Sequence, residues 1–366
     1  MASVGERVAR AGVPATAAGS PARVWVDPQT DRRWAALIRR PGSSVFHSQD
    51  WIGALTVTYG FDIRAFMLVD AAGDPRAGLT VCALDEPGGR RTVSMPFSDY
   101  CDPLVDDSDQ WNRLTAGLTG AAHPLSIRCL HNRVVREDSR LVCIGRARWH
   151  GLDVDGPLDG LWHGLDGSAK RAIRKAERNV VVRPAERRDE LRRFYELHLR
   201  VRKHKYRLLA QPYAFFEQLW QRFVERGCGV LLLAYHQGRI IGGALFLEWQ
   251  GTLYYKFNAS DPDFIALRPN DLVIWEAVKL AQSRRLSRLD FGLSDWDQTG
   301  LIRFKRKFAS DEGVIAFLQT ASDATPARPM ADFRARLGGM TRLLTEPHVP
   351  DDVTERAGEI LYRFFT

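Results

Sequence analysis

Four cations at helical spacing are the clearest chemistry in this chain. Lys170, Arg171, Arg174 and Lys175 place Lys170 with Arg174, and Arg171 with Lys175, in adjacent rows on one helix. That geometry suits a diphosphate or a nucleic-acid backbone. The wider segment Ser168 to Arg207 carries fifteen Lys or Arg and five Asp or Glu, a net of +10, against a formal +8 for all 366 residues. The rest of the chain is therefore close to neutral. A concentrated basic segment is the electrostatic footprint of a phosphate-bearing partner, with a solvated helix face as the alternative. Arg202 and Lys203 are expected to extend the same surface.

Composition excludes several classes. At 45% hydrophobic, 26% charged and 10% aromatic residues, this is no disordered chain, collagen-like repeat or small disulfide scaffold. The closest approach to a membrane span, Gly229 to Trp249, is broken by His236, Gln237 and Arg239. Residues 1–22 read as an Ala/Gly/Pro-rich flexible tail without the apolar region of a secretory signal. Five cysteines with no CxxC pair fit reduced thiols, so a cytoplasmic protein without a metal is expected. His198 and His204 do not have ligand spacing. Asp290-Phe291-Gly292 imitates a kinase motif, but no HRD-type loop precedes it. Trp51, Trp220 and Trp275 fall on apolar helix faces and are expected in the core.

The elements that must position these residues come in the same order twice. In the first half a short strand (24–26), helices at 31–39 and 48–58, and a strand-turn-strand (66–84) are predicted. A strand ending in Pro96-Phe97-Ser98-Asp99-Tyr100, a helix near 107–121 and strands near 125–129 and 140–144 follow. The second half repeats this: a strand at 180–182, helices at 187–200 and 215–226, and a strand-turn-strand over 229–249. A strand from Thr252, a helix from Pro269 to about Gln282 and the strand 288–293 complete it. An internal duplication is the economical reading. The expected fold is α/β (α+β): two tandem modules with mixed sheets flanked by helices, at 23–155 and 156–320. Residues 321–366 would be a linker and two helices packing back on the second module.

The element order is that of the acyl-CoA N-acyltransferase (GNAT) fold. In that fold a glycine-rich turn into a helix cradles the CoA pyrophosphate, because side chains would block the backbone's approach. Here the equivalent stretch, Ile265 to Asp271, has no glycine. Arg268 and Asn270 could touch a phosphate there, or form a plain helix start. The chain also resembles the Fem-type aminoacyltransferases. The resemblance is carried by Phe46-His47-Ser48-Gln49-Asp50-Trp51, Pro96 to Tyr100, Ser168 to Ala176, and Tyr195 with His198 and Arg202-Lys203. Leu267-Arg268-Pro269-Asn270, Asp290-Phe291-Gly292 and Gly300 to Lys305 complete it.

That resemblance implies two acyltransferase-like modules and transfer of an amino acid from aminoacyl-tRNA to an amine. The acceptor would be a peptidoglycan precursor or a secondary-metabolite or peptide intermediate. Acyl transfer builds negative charge on the carbonyl oxygen, so a fixed cation there supplies the largest catalytic effect. The resemblance points to Lys305 for that role. Phe304 would stack or pack beside the terminal adenosine, and Arg303, with Arg306 and Lys307, could grip tRNA phosphates or form a solvated strand or helix edge. Asp106, in Pro103-Leu104-Val105-Asp106, would border the acceptor, although Asp102 stands where the family has glycine. A turn role is the alternative for Asp106, and a helix cap for Asp99. No cofactor is expected, aminoacyl-tRNA being a co-substrate, and DNA is not an expected partner. An undecaprenyl-linked acceptor would add peripheral contact with the inner membrane surface. Two other readings stay open: an acyl-CoA- or acyl-carrier-dependent N-acyltransferase acting on a sugar amine or small-molecule amine, and a non-catalytic tRNA- or phosphate-binding module.

Overall fold

The computed structural model describes residues 21–118, 124–320 and 328–366. Nearly all of the expected N-terminal tail, the end of the helix expected to reach Ala121 and most of the Ser322–Pro329 linker lie outside the described residues. Strands are β1 (Ala22–Val26), β2 (Ile63–Val69), β3 (Pro75–Glu86), β4 (Gly89–Val93), β5 (Leu125–Cys129) and β6 (Leu141–Asp153). The second set is β7 (Val181–Pro184), β8 (Gly229–His236), β9 (Arg239–Trp249), β10 (Thr252–Ser260), β11 (Arg288–Asp295) and β12 (Asp311–Thr320). The helices that matter below are α1 (Arg32–Leu37), α2 (Gln49–Tyr59), α3 (Ser108–Thr115), α4 (Gly167–Ala176) and α5 (Arg188–Arg200). They continue with α6 (Tyr213–Leu219), α7 (Pro269–Ser283), α8 (Thr299–Arg306), α9 (Arg328–Leu344) and α10 (Asp351–Leu361).

Local chemistry sets the boundaries. Ser48 caps α2, its hydroxyl accepting from the Trp51 amide at 3.1 Å, and Asp166 does the same for α4 through the Ser168 amide at 2.7 Å. Pro269 opens α7, where its missing N–H costs nothing. Gln237-Gly238 and Gln250-Gly251 take positive φ at both positions, the twist that two-residue hairpin turns require.

All twelve strands form one sheet, in the order β1-β2-β3-β4-β5-β12-β6-β11-β10-β9-β8-β7. The duplication is visible in it: β4 with β5 and β10 with β11 are the parallel pairs, and the other neighbours are antiparallel. The sixth strands are exchanged. β12, from the second half, pairs with β5, while β6, from the first, pairs with β11. The sequence reading contained neither β12 nor the extension of β6 beyond Ile144. Residues 145–153 lack alternation because this central strand is covered on both faces, with Trp149 to Leu152 buried in succession. A fragment ending at residue 155 would leave β5 and β6 without β12 between them. It is expected to aggregate without a cooperative thermal transition; a sharp transition would show that the first half closes its own sheet.

One face of the sheet carries α2, α5 and α6 over a core shared by both halves, including Phe46, Trp51, Phe194, Phe215, Trp220 and Tyr254. On the other face α4 and α7 cover the second half through Ile173, Trp275 and Phe291, and α3 covers the first through Trp111. The C-terminal helices do not rest on the second half alone. Arg192 holds Glu355 with two bonds of 2.7 and 2.8 Å, but Tyr362 packs on Phe97 at 5.2 Å, in the first half. Among the described residues no helix is long and apolar enough to cross a membrane.

Candidate active site

The strand exchange brings the end of β11 against the first-half loop 94–100. β11 bulges between Asp290 and Leu293 where it pairs with β6. Gly292 sits in the bulge at φ 64°, and a β-carbon there would stand 2.5 Å from Asp99 Oδ2. Glycine is required on both counts. Asp290, 2% exposed, accepts from the Tyr100 hydroxyl at 2.6 Å, the Trp149 indole at 2.9 Å and the Gly292 amide at 2.6 Å. These donors come from the 94–100 loop, β6 and β11, so one carboxylate joins both halves. Burial pushes its carboxyl up, and the three donors pull it back.

Lys305 reaches this bulge from α8. Its Nζ donates to the carbonyls of Leu293 at 2.8 Å and Gly292 at 3.2 Å, and the residue is 2% exposed. Among the described residues no carboxylate lies within ion-pair distance of it. Burial brings its ammonium down to about 8, against the pull of Asp99, Asp290 and Asp295. Such a cation is charged near neutrality, fixed in place and held only by neutral carbonyls. It is equipped to stabilise a developing oxyanion.

A second buried cation faces it. Lys256 Nζ pairs with Asp99 at 2.8 Å and lies 4.9 Å from the ring centre of Phe46 and 5.1 Å from that of Trp51. Arg128 donates to the Ser98 carbonyl at 2.7 Å. The strand expected through Tyr100 ends at Val93, and the following loop puts Phe97 at φ 55°. Such a conformation is strained for a bulky residue. Here Phe97 is held by its ring against Tyr59, Phe61 and Tyr362. Motifs scattered over two hundred and sixty residues of sequence (Phe46 to Trp51, Pro96 to Tyr100, Asp290 to Gly292, Phe304-Lys305) thus meet at one seam.

The other expected site residues divide. Arg171, Arg174 and Lys175 are exposed on α4, with Arg174 over the Trp162 ring at 5.4 Å, while Lys170 donates to the His163 carbonyl at 2.9 Å. The Asp166 amide donates to the Lys307 carbonyl at 3.1 Å, and Lys307 pairs with Asp271 at the head of α7. The starts of α4 and α7 and the end of α8 therefore share one surface, where Arg268 and Arg303 are also exposed. Asn270 is already engaged: its Oδ1 accepts from Asn258 Nδ2 at 3.0 Å and from the Ser260 hydroxyl. Phe304 is half-buried against Phe308, with the Lys307 ammonium 4.8 Å from its ring centre.

Arg202 and Lys203 do not extend the cationic rows. Arg202 donates to the Leu209 carbonyl at 3.0 Å. Lys203 is 1% exposed and ties Val349 and Asp351 to the end of α5, so it serves the C-terminal helices and no phosphate. Asp106 lies apart from Lys305: it is exposed, pairs with Arg40 at 3.2 Å and borders a cavity of about 340 Å³ with Arg76, His131 and Asn132. His131 in turn packs edge-on against Tyr100 and Trp149, the partners of Asp290. Asp102, in the family's glycine position, accepts from the amides of Leu130, His131 and Asn132 and shapes this cavity. His198 is buried on Gln211 and Phe216, its imidazole brought down to about 3 by burial and Arg202.

Sequence reasoning missed Arg128, Lys256 and Asp295, and gave Asp99 only a capping role. The available signal was Lys256, a lone charge inside the apolar run Leu253-Tyr254-Tyr255-Lys256-Phe257.

Residues 167–306 match the family model for the acetyltransferase (GNAT) domain. No curated protein matches the chain. Among solved structures, FemX is 14% identical, with a TM-score of 0.62 over 81% of this chain and 96% of its own. L-PGS from Bacillus licheniformis is 11% identical at a TM-score of 0.52, over 84% and 97%. A tandem GNAT protein from the clavulanic acid biosynthesis pathway is 10% identical at 0.50, over 82% and 98%. Domain match and fold likeness agree: residues 167–306 are similar to a GNAT acetyltransferase domain, and the chain as a whole has a tandem GNAT-like fold shared with these structures.

Proposed function

We propose that this protein forms amide bonds, moving an aminoacyl group from aminoacyl-tRNA to an amine acceptor on a peptidoglycan precursor or a secondary-metabolite or peptide intermediate. The observation that carries the reading is the Lys305 ammonium, buried at the seam between the halves and held, among the described residues, by the carbonyls of Gly292 and Leu293. In this reading residues 23–155 supply the acceptor side, including the cavity beside Asp106, and residues 156–320 the donor side. Arg171, Arg174 and Lys175, with Arg268 and Arg303, would follow the phosphates of the donor's acceptor stem. Catalysis is positioning and oxyanion stabilisation by this chain's own residues.

The GNAT domain match favours a second reading, an acyl-CoA donor used on a small-molecule amine. Against it, the head of α7 has no glycine, and Asn270 is occupied by Asn258 and Ser260. Filter binding of total tRNA and thermal shift with acetyl-CoA separate the two. Salt-sensitive tRNA binding without a CoA shift is expected. Replacing Arg171, Arg174 and Lys175 together with alanine should weaken tRNA binding and lower the salt slope by about one for each phosphate no longer neutralised. A saturable CoA shift with no tRNA binding would establish the second reading instead.

A further inference from the structure

Three carboxylates act electrostatically on the Lys305 ammonium, and two are committed. Asp290 accepts three donors and is sealed from solvent. Asp99 is paired with Lys256 at 2.8 Å. Asp295 is different. It stands two residues beyond Leu293, whose carbonyl accepts from Lys305 Nζ, and is close enough for its charge to act on the Lys305 ammonium. It is exposed at the strand end, and among the described residues its carboxylate makes no hydrogen bond or ion pair. The next residue, Trp296, is 49% exposed, so this end of the seam is open to an incoming molecule.

We propose that Asp295 is the catalytic base: it binds the ammonium of a primary amine acceptor and takes one proton from it. The inference rests on the reading of Lys305 as the oxyanion partner, whichever acyl donor is used. The proton passes from R–NH3+ to the Asp295 carboxylate, leaving R–NH2. The nitrogen lone pair forms the C–N bond at the acyl carbon, and the carbonyl oxygen becomes the oxyanion beside the Lys305 ammonium. When the bond to the leaving oxygen or sulfur breaks, that atom takes a second proton from the nitrogen, giving a neutral amide. Asp295 then returns its proton to water.

Although the residue as a whole is exposed, partial enclosure of its carboxylate and the neighbouring Asp297 push the Asp295 carboxyl up, against the pull of Arg128 and Lys305. That is the direction a base working near neutral pH needs. The selectivity of the site follows as well. An acceptor already unprotonated at neutral pH does not need Asp295, whereas a primary alkylamine does.

The test compares two acceptors, a primary alkylamine and hydroxylamine, whose nitrogen is unprotonated at neutral pH. Both are run with charged total tRNA and with an acyl-CoA pool as donors. Asp295→Asn should lose about 10²-fold or more with the alkylamine at neutral pH, narrow that deficit relative to wild type at the same pH as pH rises, and stay near wild type with hydroxylamine. Lys305→Met should lose both. Equal losses with the two acceptors, or no loss with either, would overturn the role of Asp295. So would the selective loss appearing in Asp99→Asn instead. Use of the CoA pool in place of tRNA would overturn the donor reading while the same comparison still decides Asp295.

Discussion

Replacing Lys305 with methionine is expected to lower turnover by ~10²-fold or more while the fold persists. The side chain places a buried cation at the seam, bonded to two carbonyls and, among the described residues, to no acid. Stability should not fall with activity, because burial opposes the charge. The ammonium comes down from an ordinary 10.5 to about 8, a differential cost of about 3 kcal/mol between its protonation states. The unfolded chain therefore holds this proton between about pH 8 and 10.5 while the folded chain has released it. Wild-type stability gains from this group as pH rises through that window, and Lys305→Met should lack the gain. Turnover moves the other way: it should decline above about pH 8 as the ammonium is lost. Denaturant midpoints and rates across that range check both signs. Near-normal turnover in the variant would remove Lys305 from the site.

Asp290→Ala should have the largest effect on stability, about 3–5 kcal/mol. It would strip acceptors from the Tyr100 hydroxyl, the Trp149 indole and the Gly292 amide, all in a region sealed from water. Because those donors belong to three separate segments, the loss should also loosen the bulge that carries the Lys305 carbonyls. Asp290→Asn, which keeps the shape and one acceptor oxygen, should cost less. Denaturant unfolding reads the difference. A change below 1 kcal/mol in Asp290→Ala would show that the seam is held by packing alone.

The repeat was legible because hydrophobic patterning and hairpin turns are local, and both halves spell them out. Strand exchange was not, since nothing local in Asp311 to Thr320 states that its neighbours will be β5 and β6. Lys305 was singled out by the resemblance, through its Phe-Lys pair, and the structure buries it at the seam. Its surroundings were not legible: Asp99 lies two hundred residues away in sequence, and the bulge that brings them together is a tertiary feature of β11. Charge counting overreached at Lys203, where a cation inside a basic segment proved to be a buried strut. Asp106, which the resemblance placed at the acceptor, lies on an exposed cavity rim paired with Arg40. Net charge speaks to a surface only for side chains that reach it.

The measurement that tests the account most directly follows label from total tRNA, charged with mixed radiolabelled amino acids, into a small panel of amine acceptors. The expected result is an RNase-resistant amide product that appears with wild-type protein, fails with Lys305→Met, and is abolished when the tRNA is digested beforehand. Label that moves only from an acyl-CoA pool, or transfer that survives RNase pretreatment, would contradict the tRNA-dependent assignment.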